Sequence, residues 1–227
     1  MEQEKRRACA VVFDMDGVIF DSEQLVIDCW MQIADQYGYD REGVRECCLK
    51  SLGTTTAATG AIFRERFGED FPFFDRQKDL SRIFHEQADG GKLPQKDGIR
   101  ELLEALKKAG LKLAVASSTR KAVVEQELRD GGLRDFFDEV IGGDMLKRSK
   151  PAPDIYLMAC EAIGVDPAEA YAVEDSYNGI RSAKAAGMRP LMVPDLAPPT
   201  EEMHKLSEAV LPSRDAVREY LRKAGIL

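Results

Sequence analysis

The sequence predicts an α/β fold: a doubly wound, Rossmann-like parallel sheet interrupted after its first strand by an all-helical insertion. Three observations point there. Residues 8–13 (ACAVVF) form a continuous apolar run that stops at acids, as expected of a strand buried on both faces of a parallel sheet. Beyond residue 93, short apolar runs alternate with amphipathic segments, the pattern of βαβ units. Between about residues 23 and 91 no strand can be placed, while four segments carry helical spacing.

Taken in order, 8–13 is the first strand. The helical block reads as segments 25–38, 41–53, 54–68 and 75–91, each closing near glycine, with Pro72 in a loop. Then follow a helix at 98–109, a strand at 112–116, and a helix at 120–130 stopped by Gly131-Gly132. A short strand is expected at 139–141, a helix at 154–163, a strand at 170–173, a helix at 176–186 and a strand at 190–193. A last strand at 209–211 and a helix at 214–223 close the chain. The division expected is a core of residues 1–22 and 94–227, with a helical domain at 23–93 inserted between linkers.

Composition bounds the function. The chain has 227 residues, 44% hydrophobic and 32% charged, an ordinary globular balance. A net charge of −8 argues against nucleic acid as partner, since a phosphate backbone demands a basic face. No apolar stretch approaches the roughly 20 residues that span a bilayer, and no secretory leader is read at the N-terminus. Five cysteines without paired spacing read as reduced thiols, so a cytoplasmic location is expected. With only two histidines, His85 and His204, most Ser-His-Asp schemes and most catalytic zinc sites lose their required residue.

In open α/β sheets ligands bind beyond the carboxyl ends of the strands. The residues expected there are Asp14-Met15-Asp16-Gly17, Ser117-Ser118-Thr119, Lys150 in a loop, and Glu174-Asp175. Asp14 and Asp16 are two apart on an extended chain, so their side chains point the same way. Several acids in one crevice repel unless a cation or proton sits among them. A hard divalent ion with oxygen ligands, Mg²⁺, fits that set. Ser117, Ser118 and Thr119 stand before a helix start, where free N–H groups and hydroxyls suit an anion. Lys150, followed by Pro151, is held in extended chain and can act as a point charge for phosphate.

FDMDGVIFDSE (13–23), VASST (115–119), SKPAPDIY (149–156) and EDSYNGI (174–180) resemble, in order, the four motifs of the haloacid dehalogenase (HAD) superfamily. More narrowly they resemble its β-phosphoglucomutase-like branch, which carries a helical cap between the first two motifs. The resemblance covers nearly the whole chain. It implies that Asp14 is the nucleophile of an aspartyl-phosphate mechanism, ionised at pH 7 without a base. It implies that Asp16 is the general acid and base, with its carbonyl on the metal. Ser117, Ser118 and Lys150 then bind the phosphoryl group. Asp14, Asp16, Glu174 and Asp175 form the Mg²⁺ site, with Asp175 a direct ligand and Glu174 in the metal's shell. The cap is expected to close over the site, with Glu23, Thr54, Thr55 and Thr56 on the substrate side.

Asp16 argues against a dehalogenase, whose halide leaving group needs no general acid. Sugar-phosphate mutases of this branch carry a cap histidine and a cap arginine, where this chain has Val26 and Thr56. The loop GTTTAATG (53–60) offers hydroxyls but no charge, which favours water as acceptor. The expectation is therefore a Mg²⁺-dependent phosphatase, monomeric, acting on a small phosphorylated metabolite. The alternatives are a β-phosphoglucomutase-like isomerase and a non-catalytic metal- and phosphate-binding module.

Overall fold

The computed structural model describes residues 8–52, 54 and 56–227. The chain divides into two compact units, one of residues 1–20 with Gln95–Leu227, the other Asp21–Pro94.

The first unit is built on a six-stranded sheet of β1 (Ala10–Phe13), β2 (Lys112–Ser117), β3 (Glu139–Gly142), β4 (Ala170–Glu174), β5 (Arg189–Met192) and β6 (Ala209–Val210). Their spatial order is β3-β2-β1-β4-β5-β6, and every pairing is parallel. The chain runs outward from β1 in both directions, so β1 lies at the switch point where a crevice opens. The central strands are buried along their whole length, which is why they read as apolar runs and not as alternation.

The connecting helices are α5 (Ile99–Lys108), α6 (Lys121–Asp130), α7 (Asp154–Ile163), α8 (Tyr177–Ala185), α9 (Glu201–Leu206) and α10 (Arg214–Lys223), the numbers α1–α4 belonging to the insertion. α7 covers one sheet face through Ile155, Tyr156 and Ala159, packed with Val12, Ala114 and Ala172. Small alanines on the strands leave room for the larger helix residues, so the layers interdigitate.

The second unit is four helices: α1 (Ser22–Tyr37), α2 (Arg41–Lys50), α3 (Thr56–Phe67) and α4 (Phe73–Ala88). Its core is aromatic. Trp30 stacks on Phe63 at 4.5 Å between centroids, and Phe63 meets Phe71 and Phe73 at 5.5 Å each. Such pairs add to burial energy, and they place the lone tryptophan in the packing. Cys47 and Cys48 are buried on α2, and all five cysteines are free thiols. Among the described residues no helix is long and apolar enough to cross a membrane.

Candidate active site

The chemistry gathers where β1, β2 and β4 end. Asp14 follows β1, and its N–H continues the ladder by donating to Val173 O at 3.0 Å. Its carboxylate is buried, and Oδ1 accepts from Lys150 Nζ at 2.6 Å. The same ammonium donates to Glu174 Oε1 at 2.6 Å and to the Ala116 carbonyl at 3.1 Å. Lys150 thus reaches from the loop before α7 to the ends of three strands, and all three of its donors are used.

Glu174 is fully buried and saturated. Besides Lys150, its Oε1 accepts from Tyr156 Oη at 2.7 Å. Its Oε2 accepts from the Asp175 and Ser176 amides at 3.2 Å each and from Ser176 Oγ at 3.0 Å. A carboxylate has about four lone-pair sites, so Glu174 organises its neighbours and has little left for a direct metal bond. Gly179 is required here. A Cβ at that position would stand 1.8 Å from Glu174 Oε1.

Asp14, Glu174 and Asp175 bring one carboxylate oxygen each to within 4.8 Å of one another. Asp14 and Asp175 supply buried hard-oxygen donors near a single lysine, with Glu174 adding negative charge behind them, a set that fits a hard divalent cation. The charge imbalance is visible in Asp14: burial pushes its carboxyl up to about 8, Lys150 opposing the rise while Glu174 and Asp16 add to it. Without a metal ion, burial thus shifts Asp14 toward the neutral acid even with the Lys150 ammonium beside it. Burial also works against charge on Lys150, but Asp14 and Glu174 prevail and hold its pKa above the ordinary lysine range.

Asp16 is half-buried, and its Oδ2 accepts from Thr119 Oγ1 at 3.2 Å. It stands outside the group of three carboxylates. Ser117, the last residue of β2, is buried, and its Oγ accepts the Thr119 amide at 3.0 Å, leaving the hydroxyl proton free to point elsewhere. Ser118 is exposed, and its carbonyl is crossed closely by Gly143. The segment after β2 is thus pinned by Thr119, whose carbonyl also accepts Gly143 N at 2.9 Å.

Residues 11–193 match the family described as haloacid dehalogenase-like hydrolase. The chain belongs to this family. Among its relatives, it is 32% identical to the phosphorylated carbohydrates phosphatase of Thermotoga maritima over 183 residues, which cover 79% of this chain and 82% of that one. It is similar to a HAD family hydrolase from Deinococcus radiodurans solved with bound phosphate and sodium, at TM-score 0.81 and 27% identity over 97% of each chain. It is also similar to a variant of CbbY from Rhodobacter sphaeroides in complex with xylulose-(1,5)bisphosphate, at TM-score 0.69 and 30% identity over 91% of this chain and 95% of that one.

In this HAD-family chain further contacts at the site join residues far apart in sequence. Tyr156 lies six residues beyond Lys150 on α7 and reaches Glu174 from across the sheet face. Burial pushes its phenol well above the ordinary range, with Glu174 adding to that, so it stays a donor. Lys96 and Asp195 pair at 2.5 Å between distant loops, both nearly buried. Asp195 Oδ2 takes no hydrogen bond among the described residues. These partners are set by the meeting of separate loops, which no local pattern encodes.

In the helical unit, Glu23 lies in the first turn of α1 and lines a cavity of about 230 Å³ together with Val26, Trp30, Thr59, Phe63 and Gln77. Thr54 is exposed, donating to Ser51 O at 2.8 Å and meeting Thr59 Oγ1 at 3.1 Å. Thr56 begins α3 on the surface. Thr55 lies outside the described residues.

Proposed function

We propose that this chain is a Mg²⁺-dependent phosphatase that releases phosphate from a small phosphorylated metabolite through an aspartyl-phosphate on Asp14. The observation that carries this reading is the Asp14 carboxylate, buried against Lys150 at 2.6 Å and grouped with Glu174 and Asp175. In it residues 1–22 and 94–227 are the catalytic core, and 23–93 are the cap that selects the leaving group through Glu23 and Thr54–56. The phosphorylated-carbohydrate and xylulose-bisphosphate chemistry named for two relatives supports a sugar phosphate as substrate. The free thiols suit a cytoplasmic setting.

Lys150 engages Asp14 Oδ1, leaving Oδ2 to attack phosphorus in line with the ester oxygen. The P–O ester bond breaks as the Asp14 Oδ2–P bond forms, and Asp16 donates its proton to the departing oxygen. Thr119 Oγ1 orients Asp16 for that transfer. A water then attacks phosphorus, Asp16 takes its proton, and inorganic phosphate leaves with Asp14 restored. Ser117, Ser118 and Lys150 hold the phosphoryl oxygens, the lysine as a buried point charge. Mg²⁺, held by Asp14, Asp175 and the Asp16 carbonyl with Glu174 behind them, would neutralise charge on the phosphoryl group.

The test is phosphate release from p-nitrophenyl phosphate and from a panel of sugar phosphates, with and without Mg²⁺. Activity that needs Mg²⁺ and vanishes in Asp14→Asn is expected. Full activity in that variant, or conversion of a hexose 1-phosphate to the 6-phosphate without release of phosphate, would overturn the reading.

A further inference from the structure

One buried cation near the site has no part in the steps above. Arg214 opens α10, almost two hundred residues after the first motif, and is 8% exposed. Its Nε donates to Val18 O at 3.1 Å and its Nη2 to Gly17 O. Those carbonyls belong to the turn that directly follows Asp16.

The turn has a specific need for these donors. Met15 O collects the amides of Val18, Ile19 and Phe20 at 3.3, 2.8 and 3.1 Å, and Gly17 N donates to Phe20 O at 2.9 Å. The amides are thus satisfied inside the turn, while the Gly17 and Val18 carbonyls face outward into the protein. Buried carbonyls must be paired. A guanidinium presents parallel N–H groups in a fixed plane, so one side chain holds two successive peptide units at once.

Gly17 is confined on its other side as well. Its φ is +73°, and a Cβ there would lie 2.3 Å from Asp175 Oδ2. The Gly17 backbone is therefore held between the Arg214 guanidinium and the Asp175 carboxylate, one peptide bond after Asp16. The arginine itself rests on a firm base. Ser213 Oγ caps α10 by accepting Ala216 N at 3.2 Å, and Val217 and Leu221 are fully buried.

Resting on the phosphatase reading, we propose that Arg214 is a positioning residue for phosphoryl transfer. By fixing the two peptide planes after Asp16 it aims the Asp16 carboxyl at the leaving oxygen. It contacts neither substrate nor the reacting atoms.

The chemistry provides a readout that simple destabilisation does not move. p-Nitrophenolate leaves without a proton, whereas a sugar alkoxide needs one from Asp16. kcat/KM should be measured for p-nitrophenyl phosphate and for a sugar 6-phosphate in wild type, Arg214→Met, Arg214→Lys and Val217→Ala, well below each melting temperature. Asp16→Asn serves as the benchmark for a lost general acid. General acid catalysis contributes about 10²–10⁴-fold, so a misaimed acid should cost about 10-fold more on the sugar phosphate than on the aryl ester. Arg214→Met should show that unequal loss, Arg214→Lys should restore part of it, and Val217→Ala should melt lower with equal small losses on both substrates. Equal losses in Arg214→Met would make Arg214 a simple anchor of α10 and overturn the proposal. Should Arg214→Met fail to fold, the same comparison on Arg214→Lys decides it, since lysine keeps the charge and cannot hold both carbonyls. An Asp16→Asn variant without unequal loss, or an inactive wild type, would instead refute the underlying phosphatase reading.

Discussion

Replacing Lys150 by methionine removes the one ammonium that two buried carboxylates share, at nearly constant volume. Nζ stands 2.6 Å from both Asp14 Oδ1 and Glu174 Oε1, and the three side chains are 8%, 10% and 0% exposed. At an effective dielectric of about 20, each contact is a gross attraction of about 6 kcal/mol. Desolvation offsets much of that, and the loss expected on removing one partner of a buried pair is about 3–5 kcal/mol. For a chain of this size that corresponds to a melting temperature lower by about 10 °C.

The sign with pH follows from Asp14, whose carboxyl titrates near 8 because burial favours its neutral form. Below that pH the acid carries a proton and attracts the ammonium less. Above it the acid is ionised and the ammonium matters most. The melting deficit of Lys150→Met should therefore stay level from pH 5 to pH 7 and grow as the pH passes 8, in metal-free protein followed by circular dichroism up to pH 9.5. Phosphate release should fall about 10²–10³-fold, the scale for losing one fixed stabiliser of the developing charge. A deficit that is flat with pH, or activity within threefold of wild type, would refute the assignment of Lys150 as counter-charge to Asp14.

Three further outcomes follow from the same geometry. Gly179→Ala places a methyl 1.8 Å from Glu174 Oε1 and should cost about 1–3 kcal/mol or more, together with most activity, as read by thermal melting and phosphate release. Tyr156→Phe removes the 2.7 Å bond to Glu174. It should cost about 1.5–3 kcal/mol with a smaller fall in kcat than Lys150→Met, which a melt and a kinetic comparison would check. Mg²⁺ must displace the Asp14 proton, so its affinity by isothermal titration should rise about tenfold per pH unit up to about 8 and then level. A constant affinity between pH 6 and 8 would contradict that coupling.

Much of the fold was legible because parallel strands bury both faces. The apolar runs ending at Asp14, Ser117 and Glu174 mark strand ends directly, and the acids and hydroxyls just beyond them are the residues that the sheet brings together. The helix at Asp154–Ile163 and that at Arg214–Lys223 were also plain from spacing. Boundaries moved by up to three residues elsewhere, as at the first helix of the insertion, which begins at Ser22 and not at residue 25, and at the first strand, which begins at Ala10 and not at Ala8. The short 3₁₀ turns at Arg134–Phe136 and Gly143–Met145 left no periodicity to read.

By itself, then, the sequence determined the alternation of strands and helices, the helical interruption, and the acids, hydroxyls and lysine of the candidate site. These depend on local periodicity and on what stands at a strand's end, and both are written in consecutive residues. Only the tertiary structure decided how charge is balanced among them. Lys150 was known as a loop lysine, but its equal division between Asp14 and Glu174, the capture of Glu174 by Tyr156, and the grip of Arg214 on the Gly17 turn arise from residues brought together across 18 to 197 positions of chain. Burial at that meeting point, where water cannot screen the acids, is what raises the Asp14 carboxyl.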